Sequence, residues 1–142
     1  MKRKYFSIIL VLILAMFLVG CAGGVTTPVI SEETQIRDLI SKLCLAISDK
    51  NWSLAKSYCY PDSSIYLEVE QVESMVALYP QISDVIILIN PYIYSIDITG
   101  NEAKAIVSFN IQIWYQGEYA SNDTEKATTI LIKSGGKWYF YW

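Results

Sequence analysis

The chain has 142 residues, with 11 basic and 14 acidic side chains and no histidine. The missing histidine excludes a histidine general base, a Ser–His–Asp triad, and any zinc or copper site not built on an unusual carboxylate set. The acidic balance, with lysines scattered rather than striped, excludes nucleic acid as a partner.

The chain opens on the basic run Lys2-Arg3-Lys4, carries no charge from Tyr5 to Val19, and is wholly aliphatic from Ile8 to Leu14. A positive start followed by an apolar stretch is the layout of a secretory signal. The stretch falls slightly short of the about 20 apolar residues that span a bilayer. Leu18-Val19-Gly20-Cys21 then resembles the lipobox of bacterial lipoproteins, where an aliphatic residue and two small or medium ones precede a cysteine. The resemblance implies cleavage after Gly20, a diacylglyceryl thioether on Cys21, and acylation of the new amino terminus with chains such as palmitate. Two or three chains, at about 0.8 kcal/mol per buried CH₂, hold a protein on a membrane far better than one. Ala22, standing where an aspartate would favour retention, resembles the outer-membrane sorting class of two-membrane bacteria. The implied location is extracytoplasmic, on the cell membrane or outer membrane surface. Residues 1–20 are then a signal peptide, 21–31 a lipidated tether and 32–142 a single domain. Cleavage would remove Lys2, Arg3 and Lys4 and no acid, leaving eight of the 11 basic residues against 14 acidic ones.

Gly23-Gly24-Val25-Thr26-Thr27-Pro28 reads as a short tether. Ser31-Glu32-Glu33 marks a helix start, and Ile36, Leu39, Ile40, Leu43 and Ile47 recur at helical spacing to about residue 49. Asp49-Lys50-Asn51 breaks that helix, and Trp52–Tyr58 make a short second one. Residues 64–67 read as a short extended piece. From Glu68 to Leu78 the spacing is again helical, with Val72, Met75, Val76 and Tyr79 facing inward and Pro80 ending the run. The period then changes to two. Residues 85–89 form a strand interrupted at Asn90-Pro91. In the next strand, 92–99, Tyr92, Tyr94, Ile96 and Ile98 alternate against Ile93, Ser95, Asp97 and Thr99. After a turn at Gly100-Asn101, residues 103–115 place Ala105, Val107, Phe109, Ile111 and Ile113 on one face. A loop through Gly117 and Asn122-Asp123, a strand over 126–133, a hairpin at Ser134-Gly135-Gly136 and a last strand over 137–142 complete the chain.

This order predicts an α+β domain: N-terminal helices packed in a curled antiparallel sheet. Two segments resemble the cone-shaped, cystatin-like superfamily of nuclear transport factor 2 and ketosteroid isomerase. One is Ala46–Tyr58, where the first helix gives way to a short one. The other is Gly135-Gly136-Lys137-Trp138-Tyr139-Phe140, a closing hairpin with Gly-Lys-Trp before the final strand. The resemblance covers about residues 32–142. It implies a sheet wrapped around the long helix and a pocket at the open end of the cone. Members use that pocket for isomerisation, dehydration, epoxide opening, ligand binding or subunit contact, and the enzymes place carboxylate, tyrosine or histidine groups inside it. A histidine-dependent mechanism has no counterpart in this chain.

Asp97 is the acid set within the strongest alternation. Facing the pocket it would act as a proton-transferring base with Tyr58, Tyr92 or Tyr94 as hydrogen-bond donors. The alternation instead favours a solvent-facing side shared with Ser95 and Thr99. The aromatic set Trp114, Tyr115, Tyr119 and Trp138–Trp142 has two uses, filling the core or stacking on a sugar or apolar ligand, and the core is favoured. Cys44 and Cys59, fifteen positions apart in an exported chain, either form a disulfide worth about 3 kcal/mol or stay as buried thiols. No metal or cofactor is expected. The leading functional expectation is a membrane-anchored, non-catalytic domain that binds a small apolar ligand or an envelope protein. The alternatives are an isomerase- or dehydratase-like enzyme using Asp97 and tyrosines, and a homodimeric scaffold without a ligand.

Overall fold

Ser31 starts the first helix: its side chain accepts a hydrogen bond from the Thr34 amide at 3.2 Å, and Glu32 and Glu33 sit in the first turn where carboxylates offset exposed N–H groups. The computed structural model describes residues 30–78 and 84–142, and Ser31–Trp142 form one compact unit. The expected signal peptide, the cleavage position after Gly20, Cys21 and most of the tether lie outside the described residues, as do Tyr79 and Pro80. No helix among the described residues is long and apolar enough to cross a membrane.

Helix α1 runs Glu32–Ser48 and buries Ile36, Leu39, Ile40, Leu43, Cys44 and Ala46, as its spacing predicts. Asp49-Lys50-Asn51 ends it by a defined motif. The Lys50 amide donates to Ile47 O (2.9 Å), the Asn51 amide donates to Ala46 O (2.8 Å), and Lys50 takes a left-handed φ of 55°. This is a Schellman cap with lysine in the position glycine usually fills. Asn51 then caps α2, Trp52–Ser57, by accepting from the Leu54 amide. Three residues thus close one helix and open the next.

Helix α3 spans Ser64–Leu78, which corrects the extended reading of 64–67. The reason is Ser63, whose hydroxyl accepts from the Tyr66 amide at 3.2 Å and whose carbonyl accepts from the Leu67 amide. The cap pulls Ile65, Tyr66 and Leu67 into the first turn, where Ile65 and Tyr66 pack on the core. Val69 is the buried residue of α3, while Val72 and Met75, expected to face inward, are exposed. α3 packs mainly on α2, so its distal half extends beyond the core.

Five antiparallel strands follow: β1 Ile86–Thr99, β2 Glu102–Tyr115, β3 Glu118–Asp123, β4 Ala127–Ser134 and β5 Lys137–Phe140. The order is β1-β2-β4-β5, with β3 pairing the distal half of β2. Three expectations are corrected here. Asn90-Pro91 do not interrupt β1, because β1 is an edge strand and proline's missing N–H costs no ladder bond on an open edge. The alternation in 92–99 is not continuous: a bulge between Ile93 and Ser95 shifts the register, so Ile93, Ile96 and Ile98 all pack on the core while Tyr92 and Tyr94 face out. The loop through Gly117 is a tight hairpin, with Gln116 and Gly117 both left-handed (φ 51° and 85°), as a two-residue turn demands.

The sheet curls around α1. Ala103, Ala105, Val107 and Leu131 on its inner face are almost fully buried in one cluster with Ile36, Ile40, Trp138 and Phe140. The two alanines leave room for the helix to approach. Ser48 Oγ accepts from the Ile89 amide (3.1 Å), and Lys50 Nζ donates to Val85 O (2.7 Å), tying the end of α1 to β1. At the other end of α1, Glu32 pairs with Lys133 of β4.

Candidate functional site

The distal half of the inner sheet face is not filled. Ile40, Leu43, Cys44 and Ile47 on α1 face Ile89, Phe109, Ile111 and Phe140 across a cavity of about 180 Å³. A second, of about 210 Å³, continues past Phe109 and Phe140 to Thr128, Thr129 and Trp142. A third, also about 210 Å³, lies between α1, Trp52 and the Ile65–Val69 side of α3. Leu43 touches all three, and Ile40, Ile47, Ile65, Phe109 and Phe140 each border two. Together they make an apolar recess at the open end of the curl.

The chemistry of its wall is sparse. Glu68 is its one carboxylate, and it is exposed at the rim. Cys44 adds a thiol that burial pushes up to about 12, so at neutral pH it is a neutral, weakly polar surface and not a nucleophile. Thr129, on the inner face opposite Ala105, brings a hydroxyl to one edge, where its Oγ1 donates to Trp142 O at 2.9 Å. Ile130 pairs its backbone with Trp142, which holds the C-terminus over that edge. Such a wall suits an apolar guest with at most one or two hydrogen-bonding groups. Among the described residues no group of three or more His, Cys, Asp or Glu could hold a metal ion.

The candidate residues are dispersed. Asp97 is exposed on the outer face of β1, opposite Lys104 of β2. Tyr94 is also on that face, its hydroxyl 3.2 Å from Ser108 Oγ and its ring 4.0 Å from Lys126 Nζ. Tyr92 packs beside it. Tyr58, at the end of α2, borders a groove with Asp38, Lys42, Trp138 and Tyr139. None of Asp97, Tyr58, Tyr92 or Tyr94 borders the recess, so the geometry gives the proton-transfer set no common site. Cys44 and Cys59 are both buried free thiols. They serve different surfaces: Cys59 Sγ bonds to Ala55 O and borders a cleft on the other side of β5. Of the aromatic set, Trp138 and Phe140 fill the core, while Trp114 packs on Tyr119 at 5.0 Å on the outer face. The sequence reading missed Ile65, Thr128 and Thr129 as wall residues. The Ser63 cap carried the signal for Ile65. Nothing in the sequence singles out the threonines.

No family model matches the sequence, and no curated protein matches it either. Solved structures do. A protein from Catenulispora acidiphila, in complex with S-DNPA, superposes with a TM-score of 0.64 at 10% identity, over 76% of this chain and 87% of that one. An NTF2-like protein of unknown function from Prochlorococcus marinus gives 0.60 at 14% identity, over 79% and 89%. The CaMKII hub homology domain of Chlamydomonas reinhardtii gives 0.59 at 13%, over 78% and 94%. At these identities the likeness concerns the fold alone: an α+β fold like that of the NTF2-like protein.

Proposed function

We propose that this chain is a lipid-anchored envelope protein whose domain binds a small apolar ligand in the recess around Leu43, Phe109 and Phe140, without catalysis. The observation that carries the reading is the wall itself: apolar, open at one end, with its one carboxylate, Glu68, at the exposed rim rather than inside. The Catenulispora structure lends support, since a protein of similar fold is there in complex with S-DNPA. The anchor rests on the basic start, the apolar run and Leu18-Val19-Gly20-Cys21. Native and denaturing mass spectra of residues 25–142 test the pocket. A native excess of a few hundred daltons, lost on denaturation, is the expected result; a bare mass on purification and after incubation with apolar probes removes the reading.

A second reading is favoured by a separate observation. The outer sheet face exposes Ile86, Leu88, Tyr92, Ile106 and Tyr119, with Tyr92 70% accessible, and large apolar side chains exposed together on one face favour a contact surface. The fold likeness to a CaMKII hub homology domain fits self-association of this chain weakly and does not locate the surface. Light scattering of the domain distinguishes a monomer from a dimer.

A further inference from the structure

On the side of β5 away from the recess lies a cleft of about 550 Å³, within the roughly 300–1,000 Å³ of small-molecule sites. Its floor is aromatic. Tyr60, Tyr66 and Tyr139 border it, and Tyr60 is set edge-on to Tyr139 and to Tyr141, with ring centroids 6.2 and 6.1 Å apart. Its rim is polar: Lys56, Asp62 and Ser134 stand around the rings.

The cleft is built, not incidental. The linker between α2 and α3 is fixed to β5 by backbone bonds from the Tyr60 amide to Phe140 O (2.7 Å) and from the Phe140 amide to Tyr58 O (3.0 Å), with a parallel bridge between Cys59 and Phe140. Ser64 Oγ adds a bond to Tyr141 O. Lys56 is oriented by Glu73 at 2.7 Å. The backbone that carries Tyr60 is thus fixed to β5 before any ligand arrives, which lowers the ordering cost of binding.

We infer that this cleft binds a carbohydrate, taking a pyranose ring against Tyr60 and Tyr139 with its hydroxyls turned to Asp62, Lys56 and Ser134. A pyranose has one face of C–H groups that packs on an aromatic surface and a rim of hydroxyls that both donate and accept. Asp62 accepts, Lys56 donates and Ser134 does either, so the rim matches both halves of that demand. A proline-rich peptide would also use tyrosines, but it presents chiefly carbonyl acceptors and asks for parallel ridges. Here the rings meet edge to face, and a carboxylate stands at the rim. The site is independent of the apolar recess, because Tyr139 and Phe140 point to opposite sides of β5.

Ligand-observed NMR on the full chain, in a detergent without a sugar headgroup, tests this with N-acetylglucosamine tetramer, maltotetraose and decaproline as probes. Saturable binding of at least one oligosaccharide is expected. It should weaken about tenfold in Tyr60→Ala and in Tyr139→Ala and stay within about twofold in Glu33→Gln, an exposed change on α1. Tyr60→Phe, which keeps the ring, and Asp62→Asn, a change on an exposed turn, carry the test if either alanine variant does not fold: the first should retain binding and the second lose about threefold. Binding of neither oligosaccharide, binding of decaproline alone, or oligosaccharide binding indifferent to every cleft variant that folds would each overturn the assignment.

Discussion

Cys44 and Cys59 show how one residue type takes two roles by position. Both thiols are pushed by burial from an ordinary 9.0 to about 12, yet one borders the recess and the other the tyrosine cleft. Because the folded thiols hold their protons more tightly than unfolded ones, their contribution to stability is complete below about pH 9 and is lost as pH rises towards 12. Urea midpoints of the domain should therefore fall between pH 8 and pH 10.5, and less so in a Cys44→Ala/Cys59→Ala variant. A thiol reagent at pH 7.5 should leave both unmodified until the fold opens. Leu43 is the other decisive residue, touching every part of the recess. Leu43→Phe should fill it, abolishing a retained ligand mass while moving Tm by only a few degrees. Loss of ligand with collapse of Tm would instead mark Leu43 as packing alone.

At the scale of elements, most boundaries followed from local chemistry. Ser31 with two acids after it, the apolar spacing of α1 and the Gly135-Gly136 turn are each complete signals within a few residues. The misreadings share a cause. Residues 64–67 looked extended because Ser64-Ile65-Tyr66-Leu67 has strand composition, but the hydroxyl of Ser63 just before them caps α3. Ser63→Ala should lower stability by about 1 kcal/mol, seen as a reduced urea midpoint with unchanged slope. The bulge at Ile93/Ser95 and the strand after Gln116-Gly117 depend on what lies across the ladder. Neither Gln-Gly nor Tyr94 announces its backbone geometry as Asn-Gly would.

For the whole molecule, the question is which surfaces are used. Asp97 stands in the open opposite Lys104, so Asp97→Asn should leave ligand retention and Tm unchanged within error; a lost activity on any substrate would restore the enzyme reading. If two copies pair through the outer face, Tyr92→Lys with Ile106→Lys should turn a dimer into a monomer by light scattering, since buried like charges at an interface are costly. Cys21→Ser should remove the protein from the membrane fraction and end incorporation of a labelled fatty acid. Persistence in that fraction without label would point to an uncleaved apolar anchor.

The amino-acid sequence alone settled what depends on near neighbours and on composition. It excluded histidine chemistry, placed α1, α2 and the closing hairpin, and pointed to a curled α+β domain, because helix caps, apolar periods and turns act over a few residues. The packed structure decided what depends on residues far apart in the chain. It put Phe109, Phe140 and Leu43 around one recess, sent Asp97 and Tyr94 to the opposite face, and gathered Tyr60, Tyr66 and Tyr139 into a cleft. A side chain's face in a sheet hangs on register, and one inserted residue such as the bulge in β1 reverses it. A pocket, in turn, is the space several distant elements leave between them, and no local pattern encodes its shape.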